Sequence, residues 1–162
     1  MPLAVTHPPA ARAPIQAAVY LASRRDDIVA AAEEQLAARS PKYAQAAPKV
    51  LERRLAVLYT KLTEGLAAES MLPLLDHARE VAAERFHGGY DLSEVQKAYN
   101  AVEEATWSRV FADGVPERYA VVLPCVSASL GAAKDELARE YVKLAAGAHA
   151  PVLDVAALSR GG

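Results

Sequence analysis

Residues 70–111 have the sequence SMLPLLDHAREVAAERFHGGYDLSEVQKAYNAVEEATWSRVF, and this stretch decides the fold. On both sides of Gly88-Gly89 the apolar residues recur every three or four positions, which is the spacing of amphipathic helices. The glycine pair favours the end of the first helix. Asp91-Leu-Ser-Glu94 has the form of a capping box that starts the second, with Asp91 accepting from the first turn and Glu94 reaching back. The stretch therefore predicts two long helices joined at a corner, and the residues expected to shape that corner are Arg85, Gly88, Gly89, Tyr90, Asp91 and Glu94.

The apolar side of each helix is predicted to face a core. In the first helix this stripe is Met71, Leu75, Ala78, Ala82 and Phe86. In the second helix it is Val95, Ala98, Tyr99, Val102, Thr106 and Val110.

The second helix also carries a mixed stripe that contains the chain's only tryptophan. Its members are Gln96, Asn100, Glu103, Trp107 and Phe111. A second, partly aromatic face needs something to pack against, and two interpretations stay open. The rings pack on the last helix of the same domain, or the stripe is an interaction surface for a second copy or a partner protein.

The remainder of the chain also indicates helices. Ser40-Pro41 is expected to end one helix, because the residue before proline is pushed out of the α region. Pro48 suits the first turn of the next helix, which has a stripe of five leucines. Pro124 interrupts the last helical pattern and predicts a kink or a fresh start there. No five-residue run has the β-branched alternation that is typical of a strand. The predicted fold class is all-α, a helical bundle of about five main helices.

The expected domain organisation has three parts. Residues 1–22 are predicted to be a flexible N-terminal tail or a short helix, residues 23–147 a helical sensory or interaction domain, and residues 148–162 a C-terminal tail.

Charge and composition exclude several classes of partner. The chain has 18 basic and 20 acidic residues mixed along its length, with no basic stripe, which argues against nucleic acid. No segment approaches the roughly 20 apolar residues of a membrane span, so no membrane partner is expected. The single cysteine, Cys125, excludes an internal disulfide framework and fits a reducing cytoplasm.

No catalytic constellation is present, and the sequence predicts no enzyme, no metal site and no cofactor. Glu84-Arg-Phe-His87 has the Glu-x-x-His spacing of di-iron bundles, but those sites need a second such pair. His77 is the residue on which a haem interpretation would depend, without a second obvious axial ligand. There is no Gly-x-Ser-x-Gly elbow and no phosphate-binding glycine loop.

Several spaced residues together resemble a known family. They are Ser40-Pro-x-Tyr43, a leucine-rich helix, and Ala83-x-Arg85-x-x-Gly88-x-Tyr90-x-Leu92-x-Glu94-Val95 with Ala98-Tyr99. The pattern is similar to the helical N-terminal domain of RsbRD-type proteins, the co-antagonists of the RsbT kinase in bacterial stress signalling. The resemblance covers residues 28–144.

The resemblance implies a non-enzymatic signalling domain that acts through protein–protein interaction or dimerisation, with a ligand as a further modulator. Related RsbR-type sensor domains are dimeric, globin-like folds without haem, so the resemblance raises the expectation of a homodimer and of a globin-like arrangement. Family members typically carry a C-terminal output domain, whereas this chain ends about fifteen residues after Gly147. A standalone regulator and a piece of a larger protein are both open. The alternative function is a sensor or carrier of a small molecule, either haem or a lipophilic ligand.

Overall fold

The structure is a computed structural model, and it describes residues 12–149. This part of the chain consists of helices and short connections, with no strand. The helices are α1 (Ala13–Ser23), α2 (Arg25–Arg39), α3 (Pro41–Ala44), α4 (Pro48–Ala67), α5 (Leu72–His87), α6 (Leu92–Asp113) and α7 (Pro116–His149). Five of them have 15 or more residues. The predicted all-α bundle of about five main helices is confirmed.

The leucine stripe of α4 is the centre of the core. All five leucines are buried, and Tyr59 between them donates a hydrogen bond from its hydroxyl to the Leu21 carbonyl at 2.6 Å. Pro48 begins α4 and Ser40 follows the last residue of α2, as the sequence predicts. Around α4, the long helix α7 packs against α5, α6 and α1, while α2 packs against α6 and α4.

The N-terminal helix α1 belongs to this core. It lies largely within the region expected to be a tail or a short helix, and it packs against α4 and α7. Ala17, Ala18 and Leu21 on its inner face are buried. At the other end of the chain α7 continues to His149, and the rest of the predicted C-terminal tail lies outside the described residues.

The corner at Gly88-Gly89 forms as predicted. Gly89 has φ +76°, and the amide of Tyr90 donates to the Arg85 carbonyl at 3.0 Å while the amide of Gly89 donates to the Phe86 carbonyl at 3.1 Å. These two bonds are the Schellman pattern that satisfies the last carbonyls of a helix. Glycine is needed at residue 89 because other residues strain at positive φ.

The predicted capping box at the start of α6 is wrong. Asp91 is the N-cap residue, but its side chain makes no capping hydrogen bond. The Glu94 carboxylate turns away from the helix start, accepting from the Ser40 hydroxyl and from Lys97 Nζ, the latter at 2.7 Å. These hydrogen bonds lower the pKa of Glu94, and the bond to Ser40 ties α6 to the α2–α3 junction.

The last helix is continuous through Pro124, so a fresh start at that residue does not occur. The α5 stripe is also shifted from the predicted one. Leu74 is buried and Leu75 only partly so, and the buried row continues through Ala78 and Ala82 to Arg85. No helix in residues 12–149 combines the length and hydrophobicity needed to cross a membrane.

One carboxylate joins three helices at the far end of the bundle. Asp113, the last residue of α6, accepts from the Tyr20 hydroxyl at 2.7 Å, Arg24 Nε at 3.0 Å and Arg109 Nη2 at 3.1 Å. Arg118 Nη1 on α7 lies 3.8 Å from the same carboxylate. The bond from Tyr20 and the neighbouring arginines hold the pKa of Asp113 below its usual range. Burial and the same hydrogen bond raise the pKa of Tyr20 to about 12.

Candidate functional site

The mixed stripe of α6 lies at the surface with both aromatic rings partly covered. Trp107 is 39% exposed and Phe111 is 49% exposed. Trp107 Nε1 donates to Ser127 Oγ at 3.2 Å, and the ring centres of Phe111 and Tyr119 are 4.9 Å apart. Each ring therefore contacts α7 on one side, as expected if the rings pack on the last helix of the same domain. Each ring also keeps a large fraction of its area exposed, as an interaction surface for a second copy or a partner protein requires.

The polar members of this stripe precede the rings along α6. Lys134 Nζ donates to Asn100 Oδ1 at 2.9 Å and lies 3.5 Å from the Glu103 carboxylate. Gln96, one turn earlier, is half-buried. We call the five residues together the α6 surface: Gln96, Asn100, Glu103, Trp107 and Phe111. All but Gln96 line an open groove of about 540 Å³.

Charges of both signs border this groove. Glu104 on its α2 side forms an exposed ion pair with Arg39. On the α7 side Lys134 pairs with Glu103. The surface thus has an apolar centre and a rim that carries two acidic and two basic groups.

A second region lies at the corner, where Arg85 turns out to be a core residue. Its side chain is only 6% exposed, and its Nη1 donates to Glu84 Oε1 at 2.5 Å. The Arg85 Nε is buried and has no hydrogen-bond partner. The Tyr90 ring covers the guanidinium, whose Cζ lies 5.8 Å from the ring centre. Lys42 Nζ lies 4.6 Å from the same ring centre, and its ammonium also donates to the Gly89 carbonyl.

Arg85 lines a partly open cavity of about 30 Å³ between α4, α5 and α6. Tyr43, His77 and Tyr99 line the same cavity. The Tyr99 hydroxyl is buried without a hydrogen-bond partner. Burial raises the pKa of both tyrosines, and the nearby Arg85 charge partly opposes that shift. Burial also lowers the pKa of His77, which favours its neutral form.

A groove at the surface continues from this cavity. It has a volume of about 320 Å³ and shares Arg54, His77, Val81 and Arg85 with the cavity. Its outer wall contains Val50 and Val57, which are 41% and 39% exposed, together with Arg53 and Glu84. We call the cavity and this groove together the Arg85 pocket.

Comparison with known proteins identifies the family. The family model described as the RsbT co-antagonist protein RsbRD N-terminal domain matches residues 26–157. The chain belongs to this family. The match confirms the resemblance, and it includes both the α6 surface and the Arg85 pocket. RsbRD N-terminal domains are regulatory domains of stress signalling. No curated protein and no solved structure matches the chain at a significant level.

The residues expected to shape the corner of this RsbRD-family domain have different surroundings. Gly88, Gly89, Tyr90 and Asp91 form the turn itself, and Tyr90 also accepts through its carbonyl from the Tyr141 hydroxyl at 3.0 Å. The side chains of the other two residues point away from the turn, that of Glu94 to Ser40 and that of Arg85 into the core, while the Arg85 carbonyl accepts from the Tyr90 amide within it.

The Glu-x-x-His pair does not come together as a metal site. Glu84 is bonded to Arg85, whereas His87 is exposed with its Nδ1 2.7 Å from the Ala83 carbonyl. Within the described part of the chain no group of three or more His, Cys, Asp or Glu side chains is placed to hold a metal ion.

Sequence reasoning missed the pocket because the predicted α5 stripe, although it includes the buried Ala78 and Ala82, left out Leu74 and Arg85. Starting from Leu74 instead of Leu75, the spacing leads through Ala78 and Ala82 to Arg85, which marks an arginine on a buried face. An arginine is almost never fully buried without a partner. The spacing from Leu74 to Arg85 is therefore the sequence signal that could have indicated a site.

Proposed function

We propose that the chain is a non-enzymatic bacterial signalling domain of the cytoplasm that pairs with a second copy of itself through the α6 surface. A ligand held between the helices would modulate this association. The observation that carries the proposal is the pair of half-exposed rings, Trp107 and Phe111, at the centre of a groove with a charged rim.

The composition of the surface supports pairing between proteins. Interfaces have aromatic residues at the centre and polar residues at the rim, and tryptophan is prominent among the residues that dominate binding. A stable interface buries about 800 Å² on each partner. The α6 surface alone is smaller than this, so the flanking parts of α2 and α7 have to contribute.

The charges favour a second copy over an unrelated partner. In a twofold dimer each surface meets itself in the reversed direction. The acidic Glu103 and Glu104 of one copy can then face Lys134 and Arg39 of the other, because each face carries both signs. The resemblance to dimeric RsbR-type sensor domains supports the same arrangement.

The test is sedimentation velocity of the full chain over a range of concentrations. Replacing a central aromatic anchor costs about 2 kcal/mol or more, so Trp107→Ala should weaken the dimer roughly 30-fold. Leu72→Ala is the matched control, because Leu72 is 62% exposed but lies on α5. Circular dichroism has to show the same helical content for both variants. A wild type that sediments as a monomer at all concentrations overturns self-pairing.

Charge exchange gives a second test that leaves the aromatic packing intact. Glu104→Arg places like charges opposite each other across the twofold axis and should weaken association. Adding Arg39→Glu restores opposite charges and should recover it. Equal association of the wild type, the single variant and the double variant contradicts the proposed geometry.

The ligand-sensor alternative is supported by the Arg85 pocket, but the pocket is small for haem. The cavity beside His77 has about 30 Å³ and the adjoining groove about 320 Å³, at the lower end of the roughly 300–1,000 Å³ of sites for drug-sized molecules. The absence of a Soret band after reconstitution with haemin would agree with this size argument, and a stoichiometric Soret band would refute it.

A further inference from the structure

Arg85 has more hydrogen-bonding capacity than its surroundings use. A guanidinium has five N–H donors and stays charged inside proteins. The nearest carboxylate, Glu84, bonds Nη1, but its side chain is 65% exposed and points to the rim of the pocket. The buried Nε–H has no acceptor. A buried donor without an acceptor is uncommon in folded proteins and calls for an occupant or a role.

A second unsatisfied group borders the same cavity. The Tyr99 hydroxyl is fully buried and has neither a donor nor an acceptor within reach. Both residues line a space of about 30 Å³, and a buried water needs about 10–15 Å³ of such space. The cavity therefore admits one or two water-sized polar groups and nothing as large as a phosphate.

The outer part of the pocket adds an excess of positive charge and an apolar wall. Arg53 and Arg54 border it beside Arg85, and Glu84 is the one acid among its lining residues. Arg54 Nη2 lies 3.9 Å from Glu84, so this single carboxylate serves two arginines. Val50 and Val57 supply apolar area that faces solvent.

We propose that the Arg85 pocket binds a small organic acid, with the carboxylate in the inner cavity and an aliphatic body in the outer groove. The carboxylate accepts from Arg85 Nε–H and from the Tyr99 hydroxyl, and charge-assisted bonds of this kind are the strong ones. The aliphatic body lies along Val50 and Val57. This site belongs to the ligand-modulated part of the proposed function, but binding there does not require the α6 surface to dimerise.

The experiment uses hexanoate as the probe and hexanamide as its neutral counterpart. Titration of the ¹⁵N-labelled full chain is followed at the Arg85 Nε–H resonance, assigned by its loss in Arg85→Lys. Hexanoate should shift this resonance in a saturable way, with a dissociation constant at or below about 1 mM. Hexanamide should bind at least tenfold more weakly. An unshifted resonance means that water alone fills the cavity, and equal binding of the two probes means that charge is not recognised; either result overturns the proposal.

A matched pair of variants separates binding from folding. Tyr99→Phe removes a hydroxyl that has no partner, so the fold should be at least as stable while hexanoate binds about tenfold more weakly. Tyr59→Phe removes a hydroxyl bonded to the Leu21 carbonyl, so it should lower stability and leave hexanoate binding unchanged. Unchanged affinity in Tyr99→Phe contradicts the site. Sedimentation of the same samples reports dimerisation separately, so either proposal can fail alone.

Discussion

Asp113 and Arg85 are both buried charged residues near helix ends, but their surroundings differ. Asp113 accepts three hydrogen bonds and has a further arginine nearby, so a single negative charge faces three positive ones. Arg85 has an exposed carboxylate partner in Glu84, a polar contact with Tyr43 and a buried Nε without a partner. The first cluster joins α1, α6 and α7, whereas the second borders an empty space.

The difference separates a structural role from a binding role. A buried charge is tolerated when its neighbours supply both opposite charge and hydrogen bonds. Asp113 meets both conditions within the chain itself. Arg85 meets them only in part, and the missing partners are those that a carboxylate would supply.

The largest expected effect on stability comes from removing the Asp113 carboxylate, whose hydrogen bonds and opposite charges are all supplied within the chain. Asp113→Ala should lower the free energy of unfolding by about 2–3 kcal/mol, because Tyr20 and the arginines lose a shared acceptor while they remain partly exposed to water. The melting temperature should fall by roughly 5–10 °C in a calorimetric scan. Asp76→Ala is the control, since its pair with Arg79 is exposed and should change stability by no more than about 0.5 kcal/mol. Equal losses in both variants would show that the Asp113 cluster has no special role.

Acid titration should distinguish the two regions by the pH at which each destabilises the fold. The lowered pKa of Asp113 gives stability that is present above its ordinary value near 3.8 and lost as pH falls through the lower folded value. The lowered pKa of His77 gives stability that is lost as pH falls below its ordinary value near 6.5. Asp113→Asn should flatten the curve of unfolding free energy below about pH 4. His77→Gln should flatten it just below about pH 6.5. The two pKa shifts are contradicted if Asp113→Asn leaves the slope of unfolding free energy against pH unchanged below about pH 4 and His77→Gln leaves it unchanged just below about pH 6.5.

The smallest expected effect on stability comes from removing the Arg85 guanidinium, whose Nε has no hydrogen-bond partner. Arg85→Met replaces a buried cation by an apolar chain of similar length, and the effect should be small because the partner Glu84 is exposed and keeps Arg54 nearby, so no buried charge is left unpaired. The expected change in unfolding free energy is less than about 1 kcal/mol in either direction, measured by urea denaturation. A loss as large as that of Asp113→Ala would show that Arg85 is mainly structural.

The sequence was sufficient to predict elements whose signals are local. The leucine stripe of α4 is spaced along one helix, and the glycine pair after α5 determines its own backbone geometry, so both predictions are confirmed. Ser40-Pro41 ends α2 for the same local reason.

The predictions that failed depend on contacts between helices. Asp91 and Glu94 have the spacing of a capping box, but Ser40 and Lys97 compete for the Glu94 carboxylate, and Ser40 is 54 residues away in sequence. The cluster around Asp113 brings Tyr20 across 93 residues, and no local pattern predicts that meeting. The fresh start that was one of the two alternatives at Pro124 does not occur, since α7 is one continuous helix from Pro116 to His149.

The length of α7 gives the domain a mechanical connection between its two ends. Its 34 residues extend over roughly 50 Å. Near its beginning Arg118 faces Asp113, and near its other end Tyr141 holds the Tyr90 carbonyl and packs edge-on against Phe86, close to Arg85. Between these points Ser127 and Lys134 bond to residues of the α6 surface. Because one unbroken helix carries all of these contacts, the Asp113 cluster, the α6 surface and the corner beside Arg85 share a single structural element.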